Sequence, residues 1–297
     1  MPDPAETSKL KRLQAQLSDR GLAPRKAFGQ NFMIDSNFAA AVARDSFPGA
    51  DTLTLEVGPG TGCLTRAILD AHPRARVLAI ELDTGLAALL RETFSTEIEG
   101  GRLTLLEGDA LDGKHALSPE LVSTAQTLSA NEQRPRLALC ANLPYNAATP
   151  LLANLAAGAQ GLFVESAVVT VQLEVAQRLF GSAGSSDYGA LTAFMSLRAS
   201  GAILRRVGSE VFWPRPQVDS AVIRIAFKPF TDDPATLQRA ESGAFQEFLK
   251  KLFSQRRKTL RAALKPLKLP ATLDISGDAR AEDLQPLELL RIFRAAT

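Results

Sequence analysis

The chain has 297 residues, 45% hydrophobic and 22% charged, which is enough apolar material for a sizeable core and excludes a disordered polyelectrolyte. The formal net charge of +2 does not by itself mark a nucleic-acid binder, and no apolar run reaches the roughly 18 residues that a membrane-spanning helix needs. Two cysteines, Cys63 and Cys140, and two histidines, His72 and His115, are too few and too scattered for a disulfide framework or a zinc site, so no metal is expected.

The first residues, MPDPAETSKLKRLQAQL, are polar and lack the apolar stretch of a signal peptide, so a cytoplasmic protein is expected. Between positions 9 and 26, Lys9, Lys11, Arg12, Arg20, Arg25 and Lys26 stand against one acid, Asp19. Such a segment suits backbone phosphates or, equally, a solvated helix face.

From Leu53 to about Gln172, apolar runs alternate with helical patterns. The expected strands are Leu53–Val57, Val77–Ile80, Leu103–Leu106, Leu137–Cys140 and Ala167–Val171, with helices including Leu64–Leu69, Gly85–Phe94 and Pro150–Ala157. Continuous apolar strands separated by helices indicate an α/β fold whose parallel sheet is covered on both faces; Cys63 and Cys140 fit it as small core side chains. Asp112–Arg136, with its Ser, Thr and Gln, and Gly181–Tyr188 read as loops.

Beyond Gln172 the pattern changes. Ala202–Val207 and Ser220–Phe227 are joined only by the turn-rich Gly208–Asp219, so they should pair antiparallel and add an antiparallel strand at the sheet edge. From about Pro234 the chain turns helical: Phe245, Phe248, Leu249, Leu252 and Phe253 recur at helical spacing, Leu260 and Leu264 continue the face, and Arg280–Leu290 forms another helix. The expected division is a ligand-binding domain over 1–228, including the basic N-terminal segment, and a small helical domain over 229–297, with a linker near Lys228–Pro234. A second basic cluster, with Lys250, Lys251, Arg256, Arg257, Lys258 and Arg261, lies in the latter.

Leu53-Thr-Leu-Glu-Val-Gly-Pro-Gly-Thr-Gly62 is a strand leading through a glycine turn into a helix. Gly58, Gly60 and Gly62 let the backbone turn sharply and approach a ligand. Glu81 closes the next strand, where an acid accepts hydrogen bonds from both ribose hydroxyls of an adenosine, and Asp109 at the end of the third strand is placed for its adenine amino group. The series leaves the cofactor open between NAD and S-adenosylmethionine.

The fourth strand decides it. It runs into Asn142-Leu-Pro-Tyr145, at the sheet end where ligands of open α/β folds sit. The N6 lone pair of adenine is delocalised into the ring, so the amine is a poor nucleophile. Acceptors on its two N–H groups, the Asn142 side-chain oxygen and the Leu143 carbonyl, pull the nitrogen toward tetrahedral geometry. Pro144 stiffens the turn, and Tyr145 offers a face for the base. A sulfonium is already an activated electrophile, so positioning and electrostatics suffice, without a metal or covalent intermediate.

With these motifs stand Lys26-Ala-Phe-Gly-Gln-Asn-Phe-Met-Ile-Asp35, Gln172-Leu-Glu-Val-Ala-Gln-Arg178, Phe212-Trp-Pro-Arg-Pro-Gln-Val-Asp-Ser220 and Leu252-Phe-Ser-Gln-Arg-Arg-Lys-Thr-Leu260. From about Arg25 to Leu290 the chain resembles the small-subunit ribosomal RNA adenine N6,N6-dimethyltransferases. The resemblance implies a Rossmann-like class I methyltransferase domain, with a mainly parallel seven-stranded sheet, and a C-terminal all-helical domain that binds RNA or the subunit. It implies dimethylation of two adjacent adenines near the 3′ end of small-subunit rRNA, from S-adenosylmethionine, on an assembling subunit. It places Asn31, Met33, Gly58, Glu81, Asp109 and Asn142 around the cofactor, and Phe212 across the target base from Tyr145. Arg256, Arg257, Lys258 and Arg261 are the expected RNA contacts, and a monomer is expected. The alternatives are an adenine methyltransferase acting on large-subunit rRNA or DNA, and a subunit-assembly factor with methylation secondary.

Overall fold

The computed structural model describes residues 4–46, 52–71, 74, 76–130, 136–255, 258–265 and 278–296. The strands are β1 (Phe32–Met33), β2 (Thr52–Val57), β3 (Arg76–Glu81), β4 (Leu103–Glu107), β5 (Leu111–Asp112), β6 (Ala116–Leu117), β7 (Arg136–Asn142), β8 (Ser166–Gln172), β9 (Ala199–Val207), β10 (Phe212–Trp213) and β11 (Ser220–Phe227). The first six helices are α1 (Pro4–Asp19), α2 (Ser36–Asp45), α3 (Cys63–Ala71), α4 (Thr84–Thr93), α5 (Ser95–Glu99) and α6 (Pro119–Ala130). They are followed by α7 (Tyr145–Ala156), α8 (Leu173–Leu179), α9 (Ala190–Arg198), α10 (Ser242–Phe253), α11 (Leu260–Leu264) and α12 (Pro286–Ala296).

Seven strands form one sheet in the order β4-β3-β2-β7-β8-β11-β9. The first five in that order pair parallel, whereas β11 runs antiparallel to both β8 and β9. The antiparallel strand is therefore not the edge, as its late place in the chain suggests. It inserts between β8 and β9, and β9 becomes the edge. The reason is burial: β11 carries Val222, Ile223 and Ile225 at 0% exposure and has to be covered on both faces, whereas most of β9 is exposed or half-buried.

Strand β2 shows how the layers are built. Leu53, Leu55 and Val57 join the cluster formed with α6, α7 and α9, while Thr52, Thr54 and Glu56 point to the opposite face. That face is covered by Val42 and Ala43 of α2 and Leu64 and Ile68 of α3. The helix α6 lies in a stretch expected to be a loop. Its apolar row is short, Leu121, Val122 and Ala125, and the intervening Ser, Thr and Gln hide it; against the sheet, those three residues are enough. Helix α7 starts at Tyr145, ahead of the expected Pro150, which instead sits inside the helix.

The C-terminal helices pack on α9. Phe245 and Leu249 of α10 and Leu289 and Phe293 of α12 share one hydrophobic cluster with Phe194 and the sheet. The change of architecture near residue 229 thus occurs without a break in the core. Arg294 fastens the connection, donating to the carbonyls of Pro234 and Thr236, each at 2.6 Å, and to the Glu241 carboxylate at 2.5 Å. Among the described residues no helix is long and apolar enough to cross a membrane.

Candidate active site

The parallel strands end at a common rim, and the glycine loop turns there because it can adopt left-handed backbone. Gly60 and Gly62 have φ of 62° and 81°, and a Cβ on Gly62 would lie 2.5 Å from the Phe94 ring. The Gly60 N–H donates to Glu81 Oε2 at 2.8 Å, and the Asp83 N–H donates to Oε1 at 2.9 Å. Glu81 is only 4% exposed, and burial raises its pKa against the opposing pull of these two donors. Each carboxylate oxygen keeps further acceptor capacity, which suits a pair of vicinal hydroxyls.

The N-terminal segment is strapped across this rim. Strand β1 pairs with β10, setting Phe32 opposite Trp213 and Met33 opposite Phe212. Asp83, which sequence reasoning did not single out, anchors the strap. Its Oδ1 caps α4 through the Gly85 and Leu86 N–H groups, while Oδ2 meets Gln30 Nε2 and Arg25 Nε, both at 3.4 Å. The signal for it was present: an Asp just ahead of the α4 helix pattern is an ordinary N-cap.

The strap orients the loop that follows β7. Asn142 Nδ2 donates to the Asn31 carbonyl at 3.0 Å, which leaves Oδ1 as the acceptor end of the amide. The Leu143 N–H is held by the Thr170 carbonyl of β8 at 3.1 Å. Pro144 precedes α7 with φ −55° and ψ 135°, and Tyr145 is the first helical residue. The Tyr145 hydroxyl and Ser220 Oγ are 3.0 Å apart, a pairing across 75 positions that no local pattern announces. Burial raises the Tyr145 pKa, partly offset by Ser220, so the phenol is neutral.

Phe212 is 2% exposed and packs edge-on against Phe38, with ring centroids 6.1 Å apart, so most of its surface belongs to the core beneath α2. Asp109 is exposed, and its Oδ1 accepts the Leu111 N–H at 2.9 Å. Asn31, Met33, Gly58, Gly60, Glu81, Asp109, Asn142, Leu143, Pro144, Tyr145 and Phe212 all line one cavity. Cys63 also lines it and is half-buried, whereas Cys140 is fully buried in the core as expected. Glu56 was missed, because in a strand buried on both faces nothing local marks the residue that meets a cavity. The acidic residues of this wall are Glu56, Glu81 and Asp109, with no Lys, Arg or His among the described residues that line it. Such a wall suits a cationic ligand.

Two of the four expected RNA contacts are among the described residues, and they lie elsewhere. Lys258 and Arg261 are exposed, at and just inside the start of α11, away from the cavity wall. Arg256 and Arg257 fall outside the described residues.

The profile described as ribosomal RNA adenine dimethylase matches residues 21–297. A protein of Bifidobacterium longum (strain DJO10A), named ribosomal RNA small subunit methyltransferase A, is 36% identical over 291 residues, covering 94% of this chain and 90% of that protein. A protein of the same name from Deinococcus radiodurans is 37% identical over 303 residues, covering 99% and 93%. Two solved structures share the fold. The 23S rRNA methyltransferase ErmE has a TM-score of 0.59 at 23% identity, covering 90% of this chain and 99% of that one. A dimethyladenosine transferase from Plasmodium falciparum has a TM-score of 0.63 at 22% identity, covering 88% and 97%. Given a match that spans nearly the whole chain and a rim built around Asn142-Leu-Pro-Tyr145, the protein belongs to the ribosomal RNA adenine dimethylase family.

Proposed function

We infer that the protein uses S-adenosylmethionine to dimethylate N6 of two adjacent adenines near the 3′ end of small-subunit rRNA, on an assembling subunit. The observation that carries this reading is the anchored amide: the Asn31 carbonyl holds Asn142 Nδ2 and so turns Oδ1 into a fixed acceptor at the cavity. The cavity fits the cofactor by its chemistry. Glu81 offers its carboxylate to the ribose hydroxyls, Asp109 to the adenine amino group, and the acid-only wall favours a net positive ligand.

When bound, S-adenosylmethionine supplies a methyl group on a sulfonium, an electrophile that needs no further activation. The protein's part is to present the amine. At the first transfer Asn142 Oδ1 and the Leu143 carbonyl accept hydrogen bonds from its two N–H groups, and at the second one of them accepts from the N–H that remains. This draws the lone pair out of conjugation and directs it, and each transfer releases one N–H proton to solvent. The Tyr145 ring, steadied by Ser220, stacks on the extruded base, and Phe212 closes the opposite side. Asn31, Met33, Gly58 and Gly60 complete the cofactor wall.

The reading extends to the division of labour. Residues 1–228 bind cofactor and base, and residues 229–297 grip the subunit through Arg256, Arg257, Lys258 and Arg261. The protein acts in the cytoplasm as a monomer, without a metal; the large side chains exposed among the described apolar residues, Leu82, Val218 and Leu287, are few. The test offers methyl-labelled S-adenosylmethionine with undermethylated small subunits, mature subunits, naked rRNA and duplex DNA, then identifies the labelled nucleoside. N6,N6-dimethyladenosine from undermethylated subunits alone is the expected result. Label in large-subunit RNA or DNA overturns the substrate, and no label with subunit binding intact overturns the enzyme in favour of an assembly factor.

A further inference from the structure

At the far end of α7 from Tyr145, a groove runs between the β5–β6 hairpin and the start of α10, with His115, Asn154, Gln160, Arg239, Gln246 and Glu247 on its walls. None of these residues lines the cavity of the candidate active site, and Asn154 stands about 14 Å along the helix axis from Tyr145. The loop after α7 lines the groove on left-handed backbone. Gly158 has φ 62°, and a Cβ there would lie 2.6 Å from the Phe230 ring. Gln160, at φ 52°, is the one non-glycine residue with positive φ among the described residues. Its side chain holds the hairpin in place: Oε1 accepts the Leu117 N–H at 3.1 Å, and Nε2 donates to the Leu117 carbonyl at 2.9 Å.

Arg239 is the charge that this groove leaves unanswered. Its guanidinium lies over the Phe230 ring, 4.9 Å from the centroid, and the Arg198 guanidinium lies over the same ring at 3.5 Å. Arg198 is 3% exposed and donates to the carbonyls of Ala156 and Lys228 at 3.0 and 2.5 Å, both neutral partners. Among the described residues neither guanidinium has a carboxylate partner. Glu247, the acid of the groove wall, is already bound by Lys250 at 2.7 Å. Two cations on one ring, with the local acid paired, leave an exposed guanidinium in need of an anion. A planar fork already held on a ring matches the oxygens of a phosphodiester with little further loss of side-chain freedom.

We propose that the groove seats a backbone phosphate of the rRNA, with Arg239 as its principal contact, and so forms a grip separate from the base pocket. This rests on the reading of small-subunit rRNA as the substrate. Lys250 and Lys251 at the end of α10, and then Lys258 and Arg261, continue the charge along the same part of the chain. A polyanion can meet all of these cations together, whereas a single small anion meets only one, and that selects nucleic acid as the occupant.

The experiment measures affinity of the full chain for undermethylated small subunits from about 50 to 200 mM salt, for wild type, Arg239→Gln, Gly243→Glu and Gly243→Gln. Arg239→Gln is expected to bind about tenfold more weakly at the low end, and the gap is expected to shrink about threefold by the high end, as one phosphate contact fewer requires. Its affinity for S-adenosylmethionine and its single-turnover rate at saturating subunits are expected to stay within about twofold of wild type. Gly243 lines the groove, and a Cβ there has nothing within 4 Å, so Gly243→Glu adds a carboxylate without displacing a contact. It is expected to bind more weakly than Gly243→Gln at low salt, with the two converging as salt rises. A p-benzoylphenylalanine in place of Gly243 is expected to crosslink to rRNA in the bound subunit. Unchanged binding by Arg239→Gln, a loss that does not change with salt, or equal binding by the two Gly243 variants overturns the proposal. A crosslink to ribosomal protein alone also overturns it. If melting curves show Arg239→Gln unfolded, the Gly243 variants and the crosslink decide. A wild type that fails to bind small subunits overturns the substrate reading and the groove with it, whereas one that binds and methylates them beside unaffected variants overturns the groove alone.

Discussion

Asn142→Ala is the substitution that separates holding the substrate from reacting with it. The change removes Oδ1 and the 3.0 Å bond from Nδ2 to the Asn31 carbonyl. That bond is half-buried, and its loss costs about 1 kcal/mol of stability, a shift of roughly 2 °C in melting temperature for a chain of this size. The loss in the reaction is larger. A fixed polar group at the reacting atom is worth on the order of a hundredfold to a thousandfold in rate, or about 3–4 kcal/mol of barrier. Because the barrier term exceeds the folding term about threefold, partial unfolding cannot account for the expected effect. The assay is single-turnover transfer of labelled methyl groups to undermethylated small subunits at saturating cofactor, with subunit affinity measured in parallel by filter retention. The rate is expected to fall at least about a hundredfold while subunit affinity stays within about twofold. A rate within about threefold of wild type would refute the anchored-amide argument, and equal loss of rate and subunit binding would refute the assignment of the two tasks to different parts of the chain.

Three further outcomes follow from particular side chains. Gly62→Ala places a methyl group 2.5 Å from Phe94 and 3.0 Å from Leu90 at a φ of 81°, so left-handed strain and overpacking together should cost about 2–5 kcal/mol in urea denaturation; a cost below about 0.5 kcal/mol would show that the loop relaxes freely. Glu241 has its pKa lowered chiefly by the hydrogen bond from Arg294, so its contribution is complete above the unfolded carboxylate value and is lost as pH falls through the folded value. Glu241→Gln should therefore be less stable than wild type at neutral pH and match it under acid conditions, and a stability gap that does not change with pH would contradict this. Reversing charge at Arg256, Arg257 and Lys258 should weaken subunit binding and lower its salt slope by up to about 0.7–0.9 for each phosphate that is no longer neutralised, provided melting curves show the variant folded; an unchanged salt titration would return the segment to a solvated face.

Much of the site was readable because each part of it follows a strand in the chain. The turn at Gly58-Pro-Gly-Thr-Gly62, the acid Glu81 and the Asn142-Leu-Pro-Tyr145 loop all sit where an apolar run stops. Parallel strands entered from helices on the same side end at a common rim, so residues far apart in sequence meet without any knowledge of distances. The helix α6 was hidden for the opposite reason: three apolar residues do not make a visible period, and only the sheet they cover makes them sufficient.

What the sequence determined by itself was therefore local: strand and helix periods, the glycine turn, the alternation that demands a parallel sheet, and the residue types at its rim. Tertiary structure alone decided that β11 inserts between β8 and β9, that Asn31 holds Asn142 across 111 positions, and that Ser220 meets Tyr145. Periodicity and turn chemistry are properties of a few adjacent residues. Pairing between distant segments is settled by which arrangement buries the most apolar surface with the fewest unmet polar groups, a quantity that belongs to the whole chain.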